Sequence, residues 1–288
     1  MLGAIIGDII GSRWEFNPTS PNFTLTNQNI NMKRIFSFFV STICLTICFT
    51  ANAQNTDKVY LAPNPQSARW SYIETDKDGK HITTVYNSIE SIEGDGVNGK
   101  LKMRVEEVGV ASPKDTVRSY NFYCFKDGEF MADMYSGFED NIFEGQLDSV
   151  VRNTINEKYA DLPGEKKKEV IEQIKSEFIK KSGEMRGIPR NPKVGQLPNY
   201  EFTCKINIIS MKVLGEDRRI VGKESIQTKA GLFDCFILEE TITIKSMMLK
   251  DVEKIKAWYA YGIGLVKEVS YDKNGKLVST MILNEINW

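Results

Sequence analysis

Side chains suited to chemistry are few in this chain, and most stand alone. His81 is the only histidine, so a histidine-based metal site or a Ser-His-Asp arrangement lacks its partners. Glu106-Glu107 and Glu239-Glu240 are adjacent carboxylates. Neighbours on a strand point to opposite faces, so neither pair can act as one acid/base couple; a couple drawn from distant strands stays open. Asp76-Lys77-Asp78-Gly79 has the alternating acids of a calcium loop, but Lys80 takes the third ligand position and Asn87 stands where the closing Glu belongs. There is no Gly-x-Ser-x-Gly elbow, no phosphate-cradling glycine-rich loop, no Cys-x-x-Cys and no His-Glu-x-x-His. The sequence therefore predicts no catalytic residue, no metal ligand and no cofactor site.

A binding role has better material. In the run Cys235–Lys245 one face carries Phe236, Leu238, Glu240, Ile242 and Ile244, and the other carries Ile237, Glu239, Thr241, Thr243 and Lys245. This alternation predicts a strand with one buried and one wet side. Glu240 interrupts the apolar side, where a carboxylate must be paired, lie at an open rim or face a cavity. With Trp258 and Tyr259 it forms the candidate pocket for an apolar or lipid-like ligand, with core packing as the plainer use of the aromatics. Cys124, Cys204 and Cys235 follow no metal-site spacing and sit in apolar or aromatic runs, which favours small buried thiols, with one disulfide pair plus one buried thiol as the alternative that export permits.

The elements that must position these groups are mainly strands. From Arg69 onward, short segments rich in Val, Ile, Thr and aromatics alternate with Asp-Gly and Asn-Gly turns. Asp78-Gly79 separates 70–73 from 82–86, and Asn274-Gly275 separates 265–271 from 277–283; both dipeptides suit tight hairpins. A further hairpin joins 219–228 to 232–244 through Lys229-Ala230-Gly231, and short connections predict antiparallel neighbours throughout. Between the two β blocks, Leu147, Val150, Val151, Ile155 and Tyr159, then Val170, Ile171, Ile174 and Phe178, recur at helical spacing. They predict a two-helix insertion over about 145–182, its second helix spanning 162–181 with Asp161 as cap and Gly183 beyond its end. The fold class is thus mainly β (α+β): a curved antiparallel sheet, or open β-barrel, with a helical insertion.

Composition excludes some partners. With 37 basic and 38 acidic residues the net charge is −1, which offers no global field for nucleic acid or an anionic surface. The lysines in Glu165-Lys166-Lys167-Lys168-Glu169 are flanked by acids and read as a solvated helix face.

The first 53 residues differ from the rest. Met32-Lys33-Arg34, the largely apolar run 35–50 and Ala51-Asn52-Ala53 before Gln54 form a secretory signal read in order, with cleavage after Ala53. The run is shorter than the ~20 residues of a spanning helix, so the membrane is met only during export. Leu45-Thr46-Ile47-Cys48 has the spacing of a lipidation site, but Ile47 is bulky for the position before an acylated Cys. The expected layout is an opening fragment over 1–31, a signal peptide over 32–53 and one β-rich domain over 54–288, periplasmic or at the outer surface.

Two resemblances bear on these pieces. The opening Met-Leu-Gly-Ala-Ile-Ile-Gly-Asp-Ile-Ile-Gly-Ser-Arg-Trp-Glu-Phe-Asn resembles the start of the ADP-ribosylglycohydrolases, matching at Gly7, Asp8, Gly11 and Glu15. That family holds paired metal ions with a Thr-Asp-Asp motif and later aspartates, whereas Thr75-Asp76-Lys77-Asp78 has Lys where a second carboxylate is needed. The resemblance implies a truncated, inactive relative. The blocks 221–235, Trp258–Lys267 and Tyr271–Leu277 resemble an uncharacterised family of exported Bacteroidetes proteins, sometimes called TapB-type, over about 60–288. This resemblance implies a signal peptide, an envelope location and an open barrel, with no established activity. A lipid or an envelope protein is the expected partner, the latter docking on an edge strand or on the insertion.

Overall fold

The computed structural model describes residues 68–94, 98–126, 129–138, 160–206, 209–246 and 250–287. The opening fragment, the signal peptide with Ala51, Ala53 and Gln54, and the first expected helix lie outside them. Strands β1 (Arg69–Asp76), β2 (His81–Gly94), β3 (Gly99–Gly109), β4 (Ser112–Lys126) and β5 (Glu129–Ala132) come first. Helices α1 (Met134–Phe138) and α2 (Gly164–Phe178) follow, then β6 (Ile179–Glu184), β7 (Ile188–Pro189) and β8 (Gly195–Gln196). The chain closes with β9 (Tyr200–Ile206), β10 (Ile209–Thr228), β11 (Gly231–Ser246), β12 (Lys250–Ala260), β13 (Gly264–Asp272) and β14 (Leu277–Asn287).

Among the described residues these strands form one antiparallel sheet, in the order β6-β9-β10-β11-β12-β13-β14-β1-β2-β3-β4-β5-β7, with β8 beside β10. Its two ends meet. β6 and β7 terminate the order, yet only Met185, Arg186 and Gly187 separate them in the chain, a span of at most about 14 Å. Lys126 of β4 lies 4.0 Å from Glu184 of β6, and the Lys181 ammonium sits 4.1 Å from the Tyr135 ring centre. The sheet is therefore rolled nearly shut without closing, as expected from its short antiparallel connections, and its concave face encloses the core. Tyr72, Val85, Met103, Val105, Tyr123, Phe202, Val213, Leu238, Ile255 and Leu283 belong to that core, and Val170 and Ile171 of α2 join it.

The Asp-Gly and Asn-Gly hairpins fold by the same chemistry. Asp76 Oδ1 accepts from the backbone N–H groups of Asp78 and Lys80, both at 2.9 Å. Asp272 Oδ1 accepts from those of Asn274 (2.8 Å) and Lys276 (2.9 Å). Each carboxylate thus organises a turn whose glycine, Gly79 at φ +77° or Gly275 at φ +80°, adopts a left-handed conformation that other residues resist.

Two expectations need correction. The second helix ends at Phe178 rather than near 181, because Ile179–Glu184 pairs with β9, with Lys181 opposite Cys204 and Ser182 opposite Thr203. Ladder hydrogen bonds replace further helical ones there. The outer side of β11 is also not uniformly wet: Ile237 is buried, since it lies opposite Trp258, over whose ring Lys256 and Lys267 lie at 5.5 and 4.8 Å.

Candidate functional site

The three expected pocket residues do not converge. Trp258 and Tyr259 are consecutive on β12 and point to opposite faces. Tyr259 turns inward and stacks on Phe236, ring centres 5.7 Å apart. Trp258 turns outward, and its indole N–H donates to Glu224 Oε2 at 2.7 Å. Glu240 also faces inward but is already held.

Its partner is an arginine delivered by a bulge. Asp217 and Arg218 of β10 together oppose the single residue Glu240, between the pairs Glu216–Thr241 and Arg219–Glu239. Asp217 takes φ 53°, and the local bend sends Arg218 into the interior, where its side chain is 2% exposed. Arg218 Nε donates to Glu240 Oε2 at 2.9 Å, Nη1 to the Pro198 carbonyl at 2.7 Å and Nη2 to the Gly187 carbonyl at 3.0 Å. Its guanidinium carbon lies 5.0 Å from the Tyr200 ring centre. That ring covers Gly215, where a Cβ would come within 2.1 Å of it. Because Gly187 precedes β7, the arginine ties β10 to the far end of the sheet. Glu240 is thus a structural anchor.

The concave face carries a second group of carboxylates with a different environment. Glu74 stands opposite Met281, and Glu107 opposite Val85, which in turn faces Tyr72. Glu253 stands opposite Ile242. Directly opposed residues share a face, so all three project toward the core side from β1, β3 and β12. All are half-buried, and among the described residues no lysine or arginine pairs with them. Burial pushes the Glu107 carboxyl up to about 7, helped by the charge of Glu74. Burial likewise pushes Glu253 up to about 7, with the charges of Asp251 and Glu74 adding to it. Glu74 is raised by burial, against a hydrogen bond with Ser279 that lowers it. Glu107 and Glu253 each feel the charge of Glu74.

Glu106 and Glu239, the sequence neighbours of the inward-facing Glu107 and Glu240, behave oppositely. Glu106 faces outward, where hydrogen bonds from Arg104 and then Arg118 hold its carboxyl below the usual range. Glu239 also faces outward; burial would raise it, but Arg219 and Lys256 outweigh that effect and lower it. Adjacent acids on these strands therefore serve separate faces, as their spacing requires. His81 Nε2 is engaged locally by the Thr83 carbonyl (3.1 Å) and the Thr84 hydroxyl (2.9 Å). The three described cysteines are unbridged, and burial pushes the Cys124 and Cys235 thiols up to about 11 and about 12. Among the described residues no group of three or more His, Cys, Asp or Glu side chains is arranged to hold a metal ion.

Sequence reasoning missed Glu74, Glu107 and Glu253, although the signal was present. Glu107 continues the alternation Leu101, Met103, Val105, and Glu74 continues Trp70, Tyr72. Glu253 precedes Ile255 and Ala257 on the same face of β12.

The architecture is a large rolled antiparallel sheet, not closed, with three acids on one part of its concave face. The family follows: residues 66–283 match the DUF3108-like family, and the chain belongs to it. In fold it is similar to a protein from Parabacteroides distasonis assigned as a lipoprotein, with 18% identity and a TM-score of 0.53, covering 81% of this chain and 100% of that one. It is also similar to a protein from Bacteroides fragilis assigned as exported and of YmcC-like fold, with 15% identity and a TM-score of 0.52, covering 80% of this chain and 100% of that one. No protein with a curated description matches the chain.

Proposed function

We propose that the chain is a non-enzymatic cell-envelope protein that binds an apolar, lipid-like ligand on the concave face, with the ligand's polar end at Glu74, Glu107 and Glu253. The carrying observation is the trio itself: carboxylates kept half-buried without a cation, where an aromatic and aliphatic wall ends. Burial without pairing is unfavourable for folding, which fits a site that keeps its polar groups for a ligand. Tyr259 and Phe236 belong to the wall; Glu240 and Trp258 do not. The envelope location draws on the secretory pattern over 32–53 and on fold relatives assigned as a lipoprotein or as exported.

Native mass spectrometry of protein isolated from its own envelope tests this. The expected spectrum carries an adduct that delipidation removes and re-addition of envelope lipid restores. A single apo mass before and after lipid addition would sink the proposal.

A second function, docking of an envelope protein, has its own observation. Beyond Ile220, where β8 ends its pairing, residues 221–228 of β10 have β11 on one side and no strand on the other among the described residues. An extended segment of a partner fits such an edge by strand addition. Ser225→Pro should then abolish partner capture while leaving the melting temperature within a few degrees.

A further inference from the structure

The convex face of β10–β13 is the opposite of the concave one in charge. On β12 the alternation sends Asp251 and Glu253 inward and Lys250, Lys254 and Lys256 outward. Lys245 lies opposite Lys250 and Lys267 opposite Trp258 on the same outer side. Several cations of a chain with a net charge of −1 thus share this surface, where the field is local rather than global.

A groove of about 550 Å³ opens on this surface, lined by Asp217, Arg219, Glu239, Lys254, Lys256 and Tyr271 among others. Its lining carries three acids, Asp217, Glu239 and Glu240, and three cations, Arg219, Lys254 and Lys256, but Glu240 is already answered by Arg218 from behind the groove. Glu239 holds two cations at once: Arg219 Nη2 at 2.8 Å and Lys256 Nζ at 3.2 Å. One carboxylate thus fixes two positive groups and neutralises the charge of one. Asp217 accepts from the Thr241 hydroxyl at 3.5 Å. Lys254 is exposed, makes no ion pair or hydrogen bond among the described residues, and lies between Thr241 on β11 and Tyr271 on β13. The groove therefore holds two pre-oriented cations, one uncommitted cation and an aromatic hydroxyl.

We infer that this groove is an anion-binding site, in which Lys254, Arg219 and Lys256 take a phosphate- or carboxylate-bearing ligand with Tyr271 beside it. The chemistry is charge-assisted hydrogen bonding to a compact anion, and it is the same whether the anion is free or the headgroup of a lipid. The site lies on the face opposite Glu74, Glu107 and Glu253, so it stands or falls independently of the concave-face ligand.

The test uses the full chain with two probes: inorganic phosphate followed by amide NMR, and flotation with phosphatidylcholine vesicles with or without phosphatidylglycerol. Phosphate is expected to shift the amides of Arg219, Lys254 and Lys256 at concentrations that leave Lys80, on the β1–β2 turn, unmoved. Lys254→Gln should weaken binding roughly tenfold with an unchanged melting temperature, since Lys254 supports nothing else. Glu239→Gln should tighten it severalfold by releasing both cations. Phosphate shifts without vesicle binding assign a free anion; binding to phosphatidylglycerol vesicles that Lys254→Gln removes assigns a headgroup; both support the site. Shifts spread equally over Lys80 and the groove, or binding indifferent to Lys254→Gln, would overturn it. Retention of the concave-face adduct by Lys254→Gln separates the two sites.

Discussion

Two clusters of half-buried or buried charge share the concave face, and they have been treated differently by the fold. At the Arg218 cluster, each of the three guanidinium nitrogens has an acceptor, Glu240 answers the charge and Tyr200 covers the plane. At the Glu74–Glu107–Glu253 cluster, three half-buried carboxyls project toward the core side with no lysine or arginine paired to them among the described residues, and burial raises each of them instead. A paired interior charge is a fastener between sheet ends. An unpaired one is carried at a free-energy cost, and the position where that cost is tolerated is where a ligand is expected.

The contrast yields substitutions of decreasing effect. Glu240→Ala strands the buried Arg218 charge and should cost about 3–5 kcal/mol in denaturant unfolding; a loss below about 1 kcal/mol would mean that Arg218 is not fastened as described. Gly215→Ala drives a Cβ into the Tyr200 ring and should cost about 2 kcal/mol, as overpacking does, with the same unfolding assay as the readout. Glu107→Gln should do the reverse. The native carboxyl sits at about 7 against an ordinary 4.5, so between those values the native state retains a proton that the unfolded chain releases. Stability from this group is full below about 4.5 and lost as pH rises through about 7. Removing the charge should therefore stabilise the protein by about 1–2 kcal/mol at pH 8 and by little at pH 5, read as a flatter plot of melting temperature against pH. Arg118→Ala, at the exposed Glu106 pair, should change stability by less than about 0.5 kcal/mol.

Much of the sheet was legible because its signals are local. Turn dipeptides and period-two alternation placed the hairpins β1–β2, β10–β11 and β13–β14 and their antiparallel pairing. The end of α2 was not legible, since Ile179–Glu184 is settled by β9, some twenty residues away. Glu240 was marked as paired, at an open rim or facing a cavity; the pairing with Arg218 depends on the bulge at Asp217–Arg218, a register event that no spacing announces. The pocket of Glu240, Trp258 and Tyr259 failed on a rule already in hand, since consecutive strand residues cannot line one face. Glu74, Glu107 and Glu253 each fit the alternation of their own strand, but only the order β12-β13-β14-β1-β2-β3 brings them onto one wall. The hydrolase-like opening, by contrast, lies outside both the described residues and the family match, which starts at residue 66.

The most direct measurement is a pH titration of side-chain carboxyl carbons by NMR on the full chain, with Glu107→Gln and Glu253→Gln assigning the signals. Two glutamates with midpoints near 7 that these substitutions delete, beside a Glu106 midpoint below the usual range, are the predicted result. Midpoints for Glu107 and Glu253 in the ordinary range near 4.3 would contradict it, because the concave acids would then be as well solvated as any surface group.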